Sequence, residues 1–185
     1  LAYFKDYESL QPELKQRVQE MTATRETRML QMIERVNEVV PERFRGTIEF
    51  ENVKKAAEGV LARPHLAREM TRLGIVSNAG QAFERYLVKY NVERDNLDVQ
   101  KAIELVRASK GVPVMAHPGE RSYSLICPEK GREPENAPVL LKELRDMGLL
   151  GLECHYPYHE RMGTVPYFVN LAESFDLIVT GSRDF

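Results

Sequence analysis

The 185-residue chain contains no tryptophan, only two cysteines, and no apolar run near the ~18 residues that a membrane-spanning helix needs. Cys127 and Cys154 stand in dissimilar surroundings, so the sequence does not suggest a disulfide framework. The first residues lack the basic, apolar and small-residue regions of a signal peptide. These absences predict a cytoplasmic chain that has no membrane partner.

Neither sign of charge dominates. The chain has 26 Lys and Arg against 28 Asp and Glu, for a formal net charge of −2. Without a whole-chain positive field, DNA is not an expected partner and RNA is a disfavoured one. Hydrophobic residues make up 43% of the chain and charged residues 29%, which excludes a collagen-like or disordered polypeptide.

Residues 1–96 carry a largely helical pattern. Pro12 and Glu13 are typical of a helix start, and apolar residues then follow at helical spacing to about Val40, where Pro41 stops the helix. Shorter helices are predicted at roughly 51–60, 64–73 and 79–90.

Residues 97–185 alternate between helices and apolar strands. Helices are predicted at 98–109, near 138–147 and near 164–175, and the strands that follow them at 112–116, 150–154 and 177–180. This alternation predicts a parallel α/β sheet with both faces covered. Because a core strand rarely finishes a natural chain, we expect the sequence to be a piece of a longer polypeptide.

Unusual polar residues follow each predicted strand. Residues 116–121 read AHPGER, residues 153–159 read ECHYPYH, and residues 180–184 read TGSRD. Ligands of parallel α/β folds gather at the carboxyl ends of strands, and His and Asp side chains suit Mn, Fe or Zn. No HExxH, CxxC pair, P-loop or GxSxG motif occurs, which disfavours zincin, zinc-ribbon, NTPase and serine-hydrolase functions.

Four segments share one order and spacing with a known family. They are RPHLA at 63–67, AFERYL at 82–87, AHPG at 116–119 and TGSRDF at 180–185. Together they resemble the PHP (polymerase and histidinol phosphatase) family of metal-dependent phosphoesterases. The most similar branch has a helical insertion and includes phosphatases that act on AMP or on 3′,5′-bisphosphorylated nucleosides.

The resemblance implies an α/β fold that forms part of a distorted (β/α)7 barrel with an inserted all-helical cap. Residues 1–10 would end a barrel strand and enter the cap, residues 11–96 would form the cap, and residues 97–185 would form the carboxyl-terminal part of the barrel. The family holds two or three divalent metal ions, for which Mn, Fe and Zn are the candidates.

The resemblance also assigns roles to five residues. His117 and Asp184 would be catalytic metal ligands, whereas Arg63, His65 and Arg121 would bind the substrate. The alternatives are an ion pair for Arg63, a packed helical side chain for His65 and a solvated loop cation for Arg121. The family's amino-terminal ligands and the histidine that follows its Asp-Phe pair do not occur in this sequence.

The expected reaction is hydrolysis of a nucleotide phosphomonoester by metal-activated water. The chain by itself is expected to be an incomplete and inactive portion of the enzyme. A non-catalytic PHP-like binding module is the alternative, and trimming of short RNA 5′ ends is a third hypothesis with the same chemistry.

Overall fold

The computed structural model describes residues 1–57, 59–93, 96–120 and 124–182. The chain divides into two compact units. The sheet unit comprises Leu1–Lys15 and Leu97–Phe185, and the helical unit comprises Gln16–Asn96.

Four strands form one mixed sheet in the described part of the sheet unit. They are β1 (Ala2–Tyr3), β2 (Val112–Met115), β3 (Gly151–His155) and β4 (Ile178–Gly181), arranged in that order. β2, β3 and β4 are parallel, as the sequence predicts, but β1 pairs with β2 in the antiparallel direction. The parallel sheet predicted for residues 97–185 is therefore confirmed for these three strands, and the short strand β1 makes the described sheet mixed.

Helices α5 (Val99–Ala108), α6 (Ala137–Asp146) and α8 (Val165–Ser174) agree with the predicted helices to within about a residue at each end. Asp98 caps α5, since its side chain accepts hydrogen bonds from the backbone N–H groups of Gln100 and Lys101. A short helix, α7 (Pro157–Met162), follows β3 and was not predicted. The core of this unit joins the sheet to these helices through a cluster of buried side chains that includes Leu141, Leu152, Phe168 and Leu171.

The last strand departs from its predicted burial. Ile178 and Val179 of β4 are 50% and 36% exposed, although the apolar pattern of residues 177–180 predicts a buried strand. β4 lies at the end of the described sheet, so it has a strand neighbour on one side only. Leu177, which precedes the strand, does join the core.

The helical unit contains most of one long helix and several short ones. α1 runs over Pro12–Val39 and is followed by a 3-10 turn at Glu42–Phe44, then by α2 (Phe50–Lys55) and α3 (Arg63–Arg72). The predicted helix at 79–90 is instead α4 (Ala79–Ala82) continued by a π-helical turn at Phe83–Leu87. The predicted helix at 51–60 also ends early, at Lys55.

The core of the helical unit is built on the apolar stripe of α1. Met29, Met32 and Val36 are almost completely buried and pack in one cluster with Leu66 and Met70 of α3. No helix in the described residues combines the length and the apolar character needed to cross a membrane.

Candidate active site at the ends of the parallel strands

His117 lies just beyond β2 in an uncommon backbone conformation. Its φ is +50°, in the left-handed region that residues other than glycine rarely adopt. Three hydrogen bonds hold it there: its N–H donates to Glu153 Oε2 at 2.9 Å, and its carbonyl accepts from Ser124 Oγ at 2.7 Å and from the Glu120 N–H at 3.3 Å. For a residue other than glycine this backbone conformation costs on the order of 1–3 kcal/mol, and it persists only where surrounding contacts hold it in place.

Glu153 is the acidic partner of His117. It lies within β3 and its side chain is completely buried. Oε1 accepts a hydrogen bond from the Ser182 hydroxyl, and Oε2 lies 3.0 Å from Nδ1 of His117 as well as accepting the backbone N–H. A buried carboxylate is costly unless it is paired and hydrogen-bonded, and these contacts meet that requirement.

The pair brings together three strand ends. His117 follows β2, Glu153 belongs to β3, and Ser182 follows β4 directly after Gly181. The register aligns Glu153 with Thr180, and the Ser182 N–H donates to the His155 carbonyl at 3.0 Å. Within the described residues, the ends of β2, β3 and β4 therefore lie side by side at one edge of the sheet.

His159, another strand-end histidine, is a structural residue. It is fully buried on α7, its Nδ1 lies 3.0 Å from the Cys154 carbonyl, and its Nε2 accepts the Gly119 N–H at 3.2 Å. Burial lowers the pKa of His159, and the Cys154 carbonyl opposes that shift only in part. The imidazole is thus held neutral inside the core, in ring contact with Phe168 at 4.5 Å between centroids.

The other polar residues of β3 are poor candidates for ligands. Burial raises the pKa of the Cys154 thiol to about 12, with a smaller contribution from Glu153, so the side chain stays a neutral thiol. His155 is exposed at the end of the strand, and no ligand role was predicted for it. The ring of Tyr156 is buried against His117, with 4.2 Å between the two ring centroids.

Arg63 and His65 open α3 in the helical unit. The Arg63 guanidinium lies 5.5 Å from the ring centroid of Phe83, in the π-helical turn. His65 Nδ1 accepts a hydrogen bond from the Ala62 N–H at 3.0 Å, which caps the helix start. Both side chains are half-buried, and their predicted contacts with substrate stay predictions.

Two predicted site residues fall outside the described part of the chain. Asp184 lies among residues 183–185 and Arg121 among residues 121–123. The structure therefore places His117 of the two predicted ligands, and Arg63 and His65 of the three predicted substrate contacts. Their assigned roles stay predictions.

One imidazole suits a metal ion, but the described residues do not form a complete metal site. A carboxylate behind the imidazole is the arrangement that orients ligating histidines in metalloproteins. No group of three His, Cys, Asp or Glu side chains that could share an ion occurs within the described ranges. Among the described residues, His117 is therefore the donor that fits a divalent cation at these strand ends.

Sequence reasoning missed the role of Glu153. A signal for it was present, because Glu153 interrupts an otherwise apolar strand between Leu152 and Cys154. An acidic residue at such a position needs a buried partner. What the sequence could not show is that the partner is His117, 36 residues earlier in the chain.

Comparison with known proteins places the fold among hydrolases. No family model matches the chain. The chain is 31% identical to a 5′-3′ exoribonuclease of Haemophilus influenzae over 117 residues. The matched region makes up 61% of this chain and 40% of the exoribonuclease. A solved structure of a candidate metal-dependent phosphoesterase from Bifidobacterium adolescentis is 25% identical with a TM-score of 0.66, over 90% of this chain and 55% of that one.

A second solved structure agrees in fold. An amidohydrolase from Chromobacterium violaceum, with bound sulfate and no metal, has a TM-score of 0.70 at 19% identity, over 94% of this chain and 58% of that one. The chain thus spans roughly half the length of each of these three proteins. Its described residues have a mixed α/β fold similar to that of metal-dependent hydrolases.

Proposed function

We propose that this chain belongs to a metal-dependent phosphoesterase that hydrolyses nucleotide phosphomonoesters of the AMP or 3′,5′-bisphosphate type. The observation that carries the proposal is the His117–Glu153 pair at the carboxyl ends of parallel strands. The similarity to a candidate metal-dependent phosphoesterase supports it.

The residues of the chain have separate tasks in this proposal. Glu153 contacts both the backbone N–H and the ring of His117, two further hydrogen bonds hold the His117 carbonyl, and His117 is the proposed donor for a divalent ion. Bound divalent ions neutralise phosphate charge and activate water near neutral pH. Asp184 is proposed as a second ligand, and Arg63, His65 and Arg121 as contacts for the phosphate or the leaving group.

Phosphate recognition suits the chemistry of the proposed contacts. Guanidinium groups match phosphate oxygens as bidentate donors, and Arg63 is fixed at the start of α3 near an aromatic ring. His65 Nδ1 is engaged by the helix start, so any contact with substrate would use the opposite edge of its ring, at Nε2.

The test uses the protein in its full natural length together with the 185-residue chain. Release of inorganic phosphate from AMP and from adenosine 3′,5′-bisphosphate is measured after chelation and then after addition of Mn²⁺, Fe²⁺ or Zn²⁺. We expect hydrolysis that depends on the metal for the natural-length protein and none for the 185-residue chain. Absence of phosphate release from every nucleotide tested with the natural-length protein would reject the proposal.

Exonucleolytic cleavage of RNA is the second candidate function. The 31% identity to the 5′-3′ exoribonuclease favours it, and the same metal chemistry would cleave a phosphodiester. The net charge of −2 argues against tight binding of a long strand, so a short RNA is the expected substrate.

A 5′-phosphorylated RNA oligonucleotide separates the two functions. An exoribonuclease releases mononucleotides from it, whereas a phosphomonoesterase releases only inorganic phosphate. A third outcome, binding of adenosine 3′,5′-bisphosphate without turnover under any metal condition, would identify the non-catalytic module.

A further inference from the structure

Glu153 is a buried charge that makes two different contacts with one residue. Its Oε2 accepts the backbone N–H of His117 at 2.9 Å and lies 3.0 Å from the ring nitrogen Nδ1 of the same residue. The side chain of Glu153 is 0% exposed, whereas that of His117 is 18% exposed. The carboxylate therefore contacts the inner edge of an imidazole whose opposite edge carries Nε2.

The short separation decides which ring nitrogen carries the proton. An unprotonated Nδ1 carries partial negative charge and would lie 3.0 Å from a carboxylate oxygen, so the two atoms would repel each other. A protonated Nδ1 is attracted to the same oxygen. In the neutral imidazole the proton therefore stays on Nδ1 and the lone pair on Nε2.

We infer that Glu153 is a positioning residue, which keeps His117 in the Nδ1–H tautomer and so directs the Nε2 lone pair to a divalent cation. The part that concerns the cation rests on the proposed function. The part that concerns the tautomer rests on the geometry of the two side chains alone.

A purely structural role for Glu153 makes a different prediction. If the carboxylate served only to hold the backbone N–H of His117, any acceptor oxygen at Oε2 would do the same. The positioning role also requires an acceptor beside Nδ1, and the negative charge strengthens the preference for a proton there. Replacement of Glu153 by glutamine keeps the shape and one acceptor oxygen but removes the charge, whereas methionine removes the acceptor as well.

Two other histidines provide internal references for the tautomer. His159 faces the Cys154 carbonyl with Nδ1 and accepts the Gly119 N–H at Nε2, so its proton is on Nδ1. His65 accepts the Ala62 N–H at Nδ1, so its proton is on Nε2. Neither histidine contacts Glu153 through these bonds.

The first experiment is nuclear magnetic resonance of the metal-free 185-residue chain with ¹⁵N-labelled histidine, at a pH where the imidazoles are neutral. The ¹⁵N shifts of the two ring nitrogens report the tautomer. We expect His117 to match the pattern of His159 and to be the reverse of His65. A wild-type His117 with its proton on Nε2 would overturn the inference without any variant.

The second experiment measures Mn²⁺ affinity in the natural-length protein with Mn²⁺ as the only added ligand. Loss of an outer partner of a ligating histidine weakens metal binding by about 10- to 100-fold. We expect a loss near the lower limit for Glu153→Gln and near the upper limit for Glu153→Met. Glu173→Gln, which removes an exposed acidic charge from the same unit, is the matched control and should bind Mn²⁺ nearly as the wild type does.

The two experiments separate failure of this inference from failure of the proposed function. A wild-type protein with the Nδ1–H tautomer at His117 but no Mn²⁺ binding would reject the proposed function and leave the orientation of the ring intact. Mn²⁺ binding that is unchanged in Glu153→Met would reject the positioning role and leave the proposed function intact. If Glu153→Met does not fold, the tautomer of the wild-type chain still decides the question, because a proton on Nε2 of His117 rejects the inference without any variant.

Discussion

The backbone N–H of Gly119 donates a hydrogen bond to Nε2 of His159 at 3.2 Å. This bond attaches the segment after His117 to α7. The Ile126 N–H also donates a hydrogen bond to the Pro118 carbonyl, at 3.2 Å. A buried neutral histidine thus fixes the segment that holds the candidate ligand.

Gly119→Ala is expected to destabilise the sheet unit. A Cβ at this position would lie 2.7 Å from Cζ of Phe168 and 3.2 Å from Nε2 of His159, and both side chains are buried. Overpacking of this kind costs about 1–3 kcal/mol in the free energy of unfolding, which urea denaturation would measure. Gly59→Ala is the matched control, because nothing lies within 4 Å of a Cβ added there; equal stability of the two variants would contradict the packing shown.

The stability of the fold should fall as the pH is lowered through the ordinary pKa of histidine. Burial lowers the pKa of His159 below its ordinary value of 6.5 in the folded state, so the unfolded chain takes up the proton first. The contribution of His159 is therefore complete above pH 6.5 and is lost as the pH falls toward the depressed folded pKa. Urea denaturation at a series of pH values measures this slope.

His159→Gln tests the source of that slope. Glutamine can still accept the Gly119 N–H but does not titrate, so the variant should lose part of the pH dependence between pH 6.5 and the folded pKa of the wild type. Identical pH profiles for the wild type and His159→Gln would assign the effect to other groups.

Substitution of His117 should abolish activity while the fold survives. His117→Asn is the sharper variant, since asparagine tolerates the left-handed backbone of this position and keeps the N–H bond to Glu153. In the natural-length protein we expect phosphate release to fall by orders of magnitude, with a thermal unfolding curve close to that of the wild type. A rate equal to the wild-type rate would remove His117 from the site.

Arg63→Ala should weaken substrate binding more than it changes metal content. The guanidinium lies beside the ring of Phe83 in the same unit, and none of the residues proposed as metal ligands belongs to that unit. Steady-state kinetics should show a raised KM, and elemental analysis should show the wild-type metal content. Arg68→Ala, an exposed arginine on the same helix, is the control; a loss of metal without a change in KM would make Arg63 a structural residue.

Much of the secondary structure was predictable because periodicity is a local property. Pro12, Asp98 and the apolar stripe of α1 mark helix boundaries and faces that need no knowledge of the rest of the chain. The π-helical turn at Phe83–Leu87 was missed, since such single turns are rare and apolar spacing over five residues is too short to reveal one. The exposure of Ile178 and Val179 was also missed, since burial depends on which elements cover a strand.

The sequence by itself determined the order of helices and strands and placed His117 at a strand end, because backbone preferences and hydrophobic spacing act over a few residues. Only the tertiary structure showed that Glu153 faces His117 and that His159 is enclosed in the core. Both facts depend on strand register and on contacts between segments far apart in the chain. The free energy of burying a carboxylate or an imidazole is set by those contacts, so the same residue type serves as a candidate ligand at position 117 and as a packed core residue at position 159.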